Sequence, residues 1–340
     1  MALQTEKQEL FSAWIALAGE SDAEGWRTIP VVPNHPVSLL AGRRFPGNEE
    51  ALLVGFGAIK IPMQTELPQG RGFTVSAPDL GAAGMGKVWI ALSRQQAGRL
   101  EFFGMMAEDV VMTLGKLHGS SPEIQFRAFL SRIVAWQDFM RHAIDGVLAP
   151  DAELGLFGEL ELLHDLLTCG MQEITSVEAW QGPLNGIHDF TLGHGAIEVK
   201  STISSTGFSA HIGSLQQLDD TVANPLFLVA ERFAVNTSGL TLTDQVRKIR
   251  SRLDEVAVAL SVFDSRLLHA GYLDAKADNY TCRFVRARQW ILRVSEGFPR
   301  LISKDLPAEI RKANYELEIG SVCATEMNFI DAIRELGMVK

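Results

Sequence analysis

Apolar positions along the chain follow a helical period in some stretches and alternate or run continuously in others, which together predict an α/β protein. A stripe at helical spacing predicts a helix at residues 5–18. A Pro- and Gly-rich stretch follows, for which strands and loops are expected. Strands are predicted at 51–61, 72–77 and 87–93, and helices at 96–117 and 123–147.

A domain boundary is predicted at Ala149-Pro150-Asp151, because proline disfavours helix in the residue before it. Residues 1–148 then form an accessory α/β domain of strands followed by two helices, and residues 149–340 form a second domain. The second domain's pattern predicts a helix at 153–168, strands at 177–180, 187–192 and 196–200, and an extended segment at 210–213. The pattern then predicts a helix opening at 215–221, a buried strand at 225–235 and a long helix at 243–270. The remaining predicted elements are a strand or hairpin at 281–294, a helical turn at 307–312, a strand at 315–324 and a helix at 328–336.

The stretch 185–200 contains most of the residues that could take part in catalysis or metal binding. Alternation along the strand 196–200 places Glu198 and Lys200 on one face, with Ile197 and Val199 directed into a core. The Gly193-His194-Gly195 cluster can supply the positive φ of a tight hairpin turn. If the loop has an even number of residues, Asp189 returns beside Glu198.

Two carboxylates beside an ammonium group suit magnesium-assisted phosphoryl chemistry, because hard oxygen ligands bind Mg²⁺ and the metal polarises a phosphoryl oxygen. An Asp followed by Glu-x-Lys resembles the catalytic signature of the PD-(D/E)xK nuclease superfamily. The resemblance includes Gly155-Leu156-Phe157-Gly158-Glu159-Leu160, which is similar to the superfamily's acidic helix, and Trp180-Gln181-Gly182-Pro183, which precedes the Asp strand. The chain resembles most the bacterial PD-(D/E)xK group associated with restriction and phage defence.

This resemblance implies a restriction-endonuclease-like αβββαβ core, with a mixed sheet flanked by helices. It implies a Mg²⁺-dependent endonuclease that hydrolyses DNA phosphodiester bonds, with Mn²⁺ as a substitute metal. Asp189 and Glu198 would be metal ligands, Glu159 an outer acidic residue or a ligand of a second ion, and Lys200 a group acting on the nucleophile or the transition-state charge. Gln217 is similar to a polar residue that contacts the water or the DNA backbone, and a helix-surface amide is an equal alternative.

A rival function is a catalytically silent nuclease-fold module, which would bind DNA or assemble with separate ATPase or methyltransferase subunits of a restriction system. The chain has no Gly-x-x-x-x-Gly-Lys-Ser/Thr loop, which fits either function. A homodimer would suit double-strand cleavage, although no residue supports one.

The motif residues could also have purely structural roles, without catalysis. Asp274-Ala275-Lys276 repeats the acidic-x-Lys spacing, but its polar surroundings predict a surface loop. Glu198 and Lys200 could also be an exposed cross-strand ion pair, although an upstream Asp and a preceding acidic helix favour catalysis. A helix places Glu159 and Glu161 about 200 degrees apart, so only one can face the hairpin.

Composition sets the class of protein. The chain has 340 residues, is 46% hydrophobic and carries a formal charge of −10, which argues against a general nucleic-acid-binding surface. Residues 244–312 nevertheless contain 14 Lys and Arg against 9 Asp and Glu, a net of +5, which predicts either a basic face or ordinary solvated faces. Three widely spaced cysteines, no N-terminal signal pattern and no long apolar run predict a cytoplasmic protein without a membrane span.

Overall fold

Strands and helices of the first part of the chain lie where apolar residues recur. The computed structural model describes residues 2–338 apart from 21, 23, 65–66, 71, 82–85 and 143–146. By their internal contacts the residues form two units, Met1–His142 and Ala143–Lys340. The first unit contains α1 (Ala2–Leu17), β1 (Gly25–Val31), β2 (Ser38–Phe45), β3 (Glu49–Phe56), β4 (Gln69–Gly70), β5 (Phe73–Ser76), β6 (Val88–Arg94), α2 (Leu100–Gly115) and α3 (Pro122–His142).

Within the described part of this unit, six antiparallel strands form one sheet in the order β1-β2-β3-β6-β5-β4. The central strands β3 and β6 are almost entirely buried, as their apolar runs require. Strands predicted at 51–61, 72–77 and 87–93 correspond to β3, β5 and β6, and the predicted helices correspond to α1, α2 and α3. The predicted end of the last helix, at 143–146, lies outside the described residues.

The second unit carries the motif residues. It contains α4 (Pro150–Thr168), α5 (Glu173–Ala179), β7 (Phe190–Leu192), β8 (Gly195–Thr202), β9 (Ser209–Ile212), β10 (Leu226–Leu240), α6 (Leu242–Leu253), α7 (Ala257–His269), β11 (Phe284–Val294), β12 (Tyr315–Glu318) and α8 (Phe329–Glu335). In the part of the chain that the structure describes, none of the helices has the length and apolar content that a membrane crossing requires.

A mixed sheet in the order β11-β10-β8-β7 is the centre of this unit, and it confirms the predicted α/β class. The strands β8 and β10 are parallel, whereas β7 and β11 are antiparallel to their neighbours. Because side chains alternate along a strand, Ile197 and Val199 of β8 join the core formed with the helices, and Ala196 joins a second core on the other face. The two-stranded β9–β12 sheet contributes Ala210 and Ile212 to that second core.

Two predicted elements, one before the β7–β8 hairpin and one after it, are wrong. The predicted strand 177–180 is the end of helix α5 followed by a single bridge from Trp180 to Phe190, since a short apolar run does not distinguish strand from helix. The predicted helix opening at 215–221 is a series of turns. There the Asp219 carboxylate accepts hydrogen bonds from the Thr221 N–H and hydroxyl, which compete with helical hydrogen bonds.

The predicted long helix at 243–270 is two helices, α6 and α7. Buried positions on α6 include Ile249 and Leu253, but the next buried residue on α7 is Ala259, six positions later. A spacing of six changes the buried face, so the helix axis breaks without a Pro or Gly to signal it. Further along the chain, residues 307–312 contain a turn but no helical residues. The strand predicted at 315–324 ends at Glu318.

Candidate active site

The hairpin of β7 and β8 turns through two residues, Gly193 and His194, so the predicted even loop is present. Gly193 has a φ of 56°, a left-handed conformation that glycine adopts without strain. Phe190 pairs with Ile197, so Asp189, one residue before β7, is level with Glu198. The Asp189 Oδ2 atom accepts a hydrogen bond of 2.7 Å from the backbone N–H of Val199, which fixes this carboxylate at the edge of β8.

Glu198 and Lys200 lie on one face of β8, as alternation predicts. The Lys200 Nζ atom donates a hydrogen bond of 2.7 Å to Glu198 Oε1. Glu198 is only 1% exposed, so this is not the exposed surface ion pair that was the structural alternative. Its second oxygen, Oε2, is buried and has no hydrogen-bond partner among the described residues. Such an atom is costly to leave unpaired, and a cation would satisfy it.

Helix α4 brings a third carboxylate to the hairpin. The Trp180 indole N–H donates a hydrogen bond of 2.6 Å to Glu159 Oε2. A Cβ atom added at Gly182 would lie 2.8 Å from Glu159 Oε2 and 3.0 Å from Asp189 Oδ1. Both carboxylates therefore approach the Gly182 backbone, and a residue with a side chain would push them away.

Burial dominates the electrostatics of these groups. It raises the pKa of Glu198 to about 8, with a further rise from the negative charge of Asp189 and an opposing effect of Lys200. Burial also raises the pKa of Glu159 well above its usual value, together with Asp189, and it raises the pKa of Asp189 itself. Burial disfavours the charged form of Lys200, but Glu198 outweighs it and raises the pKa of the ammonium. The four groups carry more potential negative charge than one lysine neutralises.

The family model described as "Putative PD-(D/E)XK family member, (DUF4420)" matches residues 10–320. The chain belongs to this family. The match covers most of both units, and it includes the Asp189 strand and Glu198-x-Lys200. No curated protein and no solved structure matched the chain.

Family membership raises the question whether the residues fit a divalent metal. Within the described ranges, no group of three or more His, Cys, Asp and Glu side chains is arranged to hold a metal ion by itself. Magnesium commonly takes one or two protein carboxylates and keeps several waters, so a closed cage is not required. Asp189 and Glu198 supply two carboxylates, and Oε2 of Glu198 is unpartnered. The donor set fits a hard cation held by these two residues, whereas Glu159 Oε2 is already engaged by Trp180.

Gln217 does not join this group through its side chain. Its Oε1 atom accepts a hydrogen bond of 2.7 Å from the backbone N–H of Gly213, and in the described part of the chain it makes none to Asp189, Glu198 or Lys200. The turn around Gln217 is nevertheless near the hairpin, because its backbone influences the pKa of the buried His188. Burial lowers the pKa of this imidazole, and the backbone of Gln217 and Gln216 opposes that shift.

The second acidic-x-Lys copy lies in an exposed 3₁₀ helix, Asp274–Asn279, and Asp274 is paired with Arg250. Many cations of the basic stretch 244–312 are likewise paired with carboxylates. This pairing supports the interpretation of ordinary structural charges over most of that stretch.

No role is predicted from the sequence for Trp180 and Gly182, although the Trp-Gln-Gly-Pro segment is part of the family resemblance. Their contacts join α4 to the Asp189 strand, which lies 30 residues after Glu159. The available signal was the position of an indole and a glycine directly before the acidic strand. The ionic cluster around Arg286 is likewise not predicted from the sequence, although Glu231 stands out as an acidic residue within the apolar run 225–235.

Proposed function

We propose that this PD-(D/E)XK family member is a Mg²⁺-dependent endonuclease that hydrolyses DNA phosphodiester bonds, in a restriction or phage-defence setting. The observation that carries the proposal is the buried Glu198. Its carboxylate is level with Asp189, receives a hydrogen bond from Lys200 through one oxygen and has the other oxygen unpartnered. A cation held beside Asp189 would satisfy this unpartnered oxygen, which otherwise lowers stability.

Asp189 and Glu198 would hold the cation. When bound, Mg²⁺ supplies Lewis-acid polarisation of the phosphoryl oxygen and neutralises negative charge. Lys200 contributes a positive charge from within the protein, and its raised pKa keeps the ammonium protonated to stabilise the charge that develops on the phosphoryl group. Water is the nucleophile, and Glu159 shapes the site from α4 through its hydrogen bond with Trp180.

The test is cleavage of plasmid and linear DNA with Mg²⁺ and with EDTA. Glu198→Ala and Lys200→Ala should each lower the Mg²⁺-dependent rate by about 100-fold or more. The matched control is Lys276→Ala in the second acidic-x-Lys copy, which should retain the wild-type rate. Thermal melting checks that each variant folds. Full activity in either hairpin variant would reject the assignment of these residues.

A catalytically silent module remains the second candidate, and one observation favours it. In the described part of the chain no three acidic or imidazole side chains form a metal-holding group. For that function, purified wild-type protein would bind DNA or a restriction-system subunit, with no cleavage in Mg²⁺ or Mn²⁺. Mg²⁺-dependent cleavage that Glu198→Ala removes would exclude this candidate.

A further inference from the structure

An arginine pair beside an indole lies on the same sheet face as the candidate active site. The register pairs Lys200 with Ala230 and Ala230 with Trp290. Two residues further along the strands, Arg232 lies directly opposite Arg288. Because directly paired residues and every second residue share a face, this pair continues the face that carries Glu198 and Lys200. The distance from the Lys200 Cα to the two arginines is on the order of 10 Å by strand geometry.

Both guanidinium groups lie against Trp290. The Cζ atom of Arg288 is 4.4 Å from a ring centroid of Trp290, and that of Arg232 is 5.2 Å from a ring centroid of the same indole. Phe208 packs edge-on against the same indole, at 6.0 Å between centroids. Stacking of this kind restrains a guanidinium while its N–H groups stay available for hydrogen bonds.

The charges of this arginine pair are poorly neutralised. Like charges placed directly opposite across a sheet are destabilising. Arg288 is 3.6 Å from Glu326, and both side chains are at least half exposed. Arg232 makes no ion pair within the described residues, and its Nη2 donates to the backbone carbonyl of Gly207. In contrast, Arg286 on the same strand is enclosed by carboxylates.

Two other carboxylates lie near the Gly207 end of this surface and are engaged elsewhere. Glu318 accepts a hydrogen bond of 2.5 Å from the backbone N–H of Phe208. Glu316 accepts one of 2.8 Å from the Ser209 hydroxyl. The loop 203–207 that follows β8 is exposed and contains no charged residue, so it puts no charge of its own in front of the arginines.

We propose that Arg232 and Arg288, restrained by Trp290, bind the phosphates of a DNA strand next to the phosphate cleaved at Lys200. This inference rests on the proposed function for the choice of DNA as the anion. Contacts of this type position the strand and carry no sequence information. The surface would therefore add affinity and register to the active site without specifying a base sequence.

The test is the salt dependence of duplex DNA binding, measured by fluorescence anisotropy of a labelled oligonucleotide with the full-length protein in Ca²⁺. Neutralising each phosphate adds about 0.9 to the slope of log affinity against log salt. The double variant Arg232→Gln/Arg288→Gln should reduce that slope by about 1.8 and lower affinity on the order of 10- to 100-fold. The matched control is Arg247→Gln/Arg334→Gln, two exposed arginines paired with carboxylates of their own helices, which should leave the slope unchanged.

If the double variant is unstable in thermal melting, Arg288→Gln alone suffices, since this side chain is 57% exposed, and its slope should fall by about 0.9. An unchanged slope in the folded variant, an equal loss in the control, or no duplex binding by the wild-type protein would overturn the proposal. Mg²⁺-dependent cleavage of the same duplex is measured separately. Cleavage with an unchanged slope would reject this surface and keep the nuclease, whereas a reduced slope without cleavage would keep the surface and reject the nuclease.

Discussion

Two clusters of buried and half-buried carboxylates lie in the second unit, and each is associated with one basic side chain. The hairpin site consists of Asp189, Glu198, Glu159 and Lys200. The arginine cluster, on the face of β10 opposite the Arg232 face, consists of Glu161, Asp165, Glu231 and Arg286, with the amide of Gln289. Burial raises the pKa of Glu231 to about 7 and that of Glu198 to about 8, so a raised pKa does not separate the two clusters.

The two clusters differ in the hydrogen bonds that their basic side chains make. Arg286 donates to both oxygens of Asp165, at 2.5 and 3.0 Å, and to Glu231 at 3.0 Å. Gln289 adds hydrogen bonds to Glu231 and Asp165. A planar guanidinium can serve several carboxylate oxygens at once, whereas an ammonium is a point charge. Lys200 donates to one oxygen of Glu198, so the hairpin site is the cluster in which the cation reaches fewer carboxylate oxygens.

Unpartnered oxygens occur in both clusters, but their surroundings differ. The Glu231 Oε2 atom faces Gly158 of α4, where an added Cβ would lie 3.3 Å from it and 2.0 Å from Ser201 Oγ. This close approach leaves little space for an added group. Near the unpartnered oxygen of Glu198 are Asp189 and Glu159, and neither accepts a hydrogen bond from a basic side chain among the described residues. We therefore infer that the arginine cluster stabilises the contact of α4 with the sheet and that the hairpin site accepts a ligand.

The largest expected difference between the clusters is in stability. Arg286→Met leaves Asp165 and Glu231 without their cation and should lower the free energy of unfolding by about 3 kcal/mol. Lys200→Met should cost less, about 1 kcal/mol, because it removes a single hydrogen bond to Glu198. Urea denaturation at neutral pH without metal measures both variants. Equal losses would mean that the two cations have the same structural role.

Local patterns were sufficient to predict the hairpin, because alternation along β8 and the glycine turn are set by neighbouring residues. They placed Glu198 and Lys200 on one face and Asp189 beside Glu198, as the strand register has it. Local patterns were insufficient to predict contacts that depend on tertiary packing. The hydrogen bond from Trp180 to Glu159 and the enclosure of Glu231 by Arg286 join residues 21 and 55 positions apart.

The predicted boundaries of the helices were wrong for a related reason. The break between α6 and α7 has no Pro or Gly, and the apolar stripe continues across it through Val256. Only the tertiary core decides that Ala259 and not Val256 is fully buried. Domain limits from sequence, 1–148 and 149–340, stay a prediction, and the contact-based division at His142 differs from them by a few residues.

Metal binding should separate the clusters by a smaller amount. A ligand present at about 10 times its dissociation constant stabilises the folded protein by about 1.4 kcal/mol. Mg²⁺, Mn²⁺ or Ca²⁺ should raise the melting temperature of wild-type protein and of Glu231→Gln, but not of Glu198→Gln. Differential scanning calorimetry with and without EDTA measures this shift. A shift that persists in Glu198→Gln and disappears in Glu231→Gln would exchange the roles of the two clusters.

The smallest expected difference is in the pH dependence of stability without metal. Glu231 has a pKa of about 7 when folded and Glu198 a pKa of about 8, both above the ordinary 4.5. A folded state that binds a proton more tightly than the unfolded state loses stability as pH rises, from the ordinary pKa up to the folded pKa. The contribution of Glu231 is therefore lost by about pH 7, whereas that of Glu198 continues to fall up to about pH 8.

Glutamine imitates the protonated carboxyl, so each variant removes one of these two contributions. Between pH 7 and pH 8 the stability of wild type relative to Glu198→Gln should fall by about 1 kcal/mol, because one proton corresponds to about 1.4 kcal/mol per pH unit. Relative to Glu231→Gln it should change much less over the same interval. Urea denaturation in EDTA at half-unit steps measures both differences. If both variants level off at the same pH, the smaller number of carboxylate oxygens that Lys200 reaches does not distinguish the hairpin site from the arginine cluster.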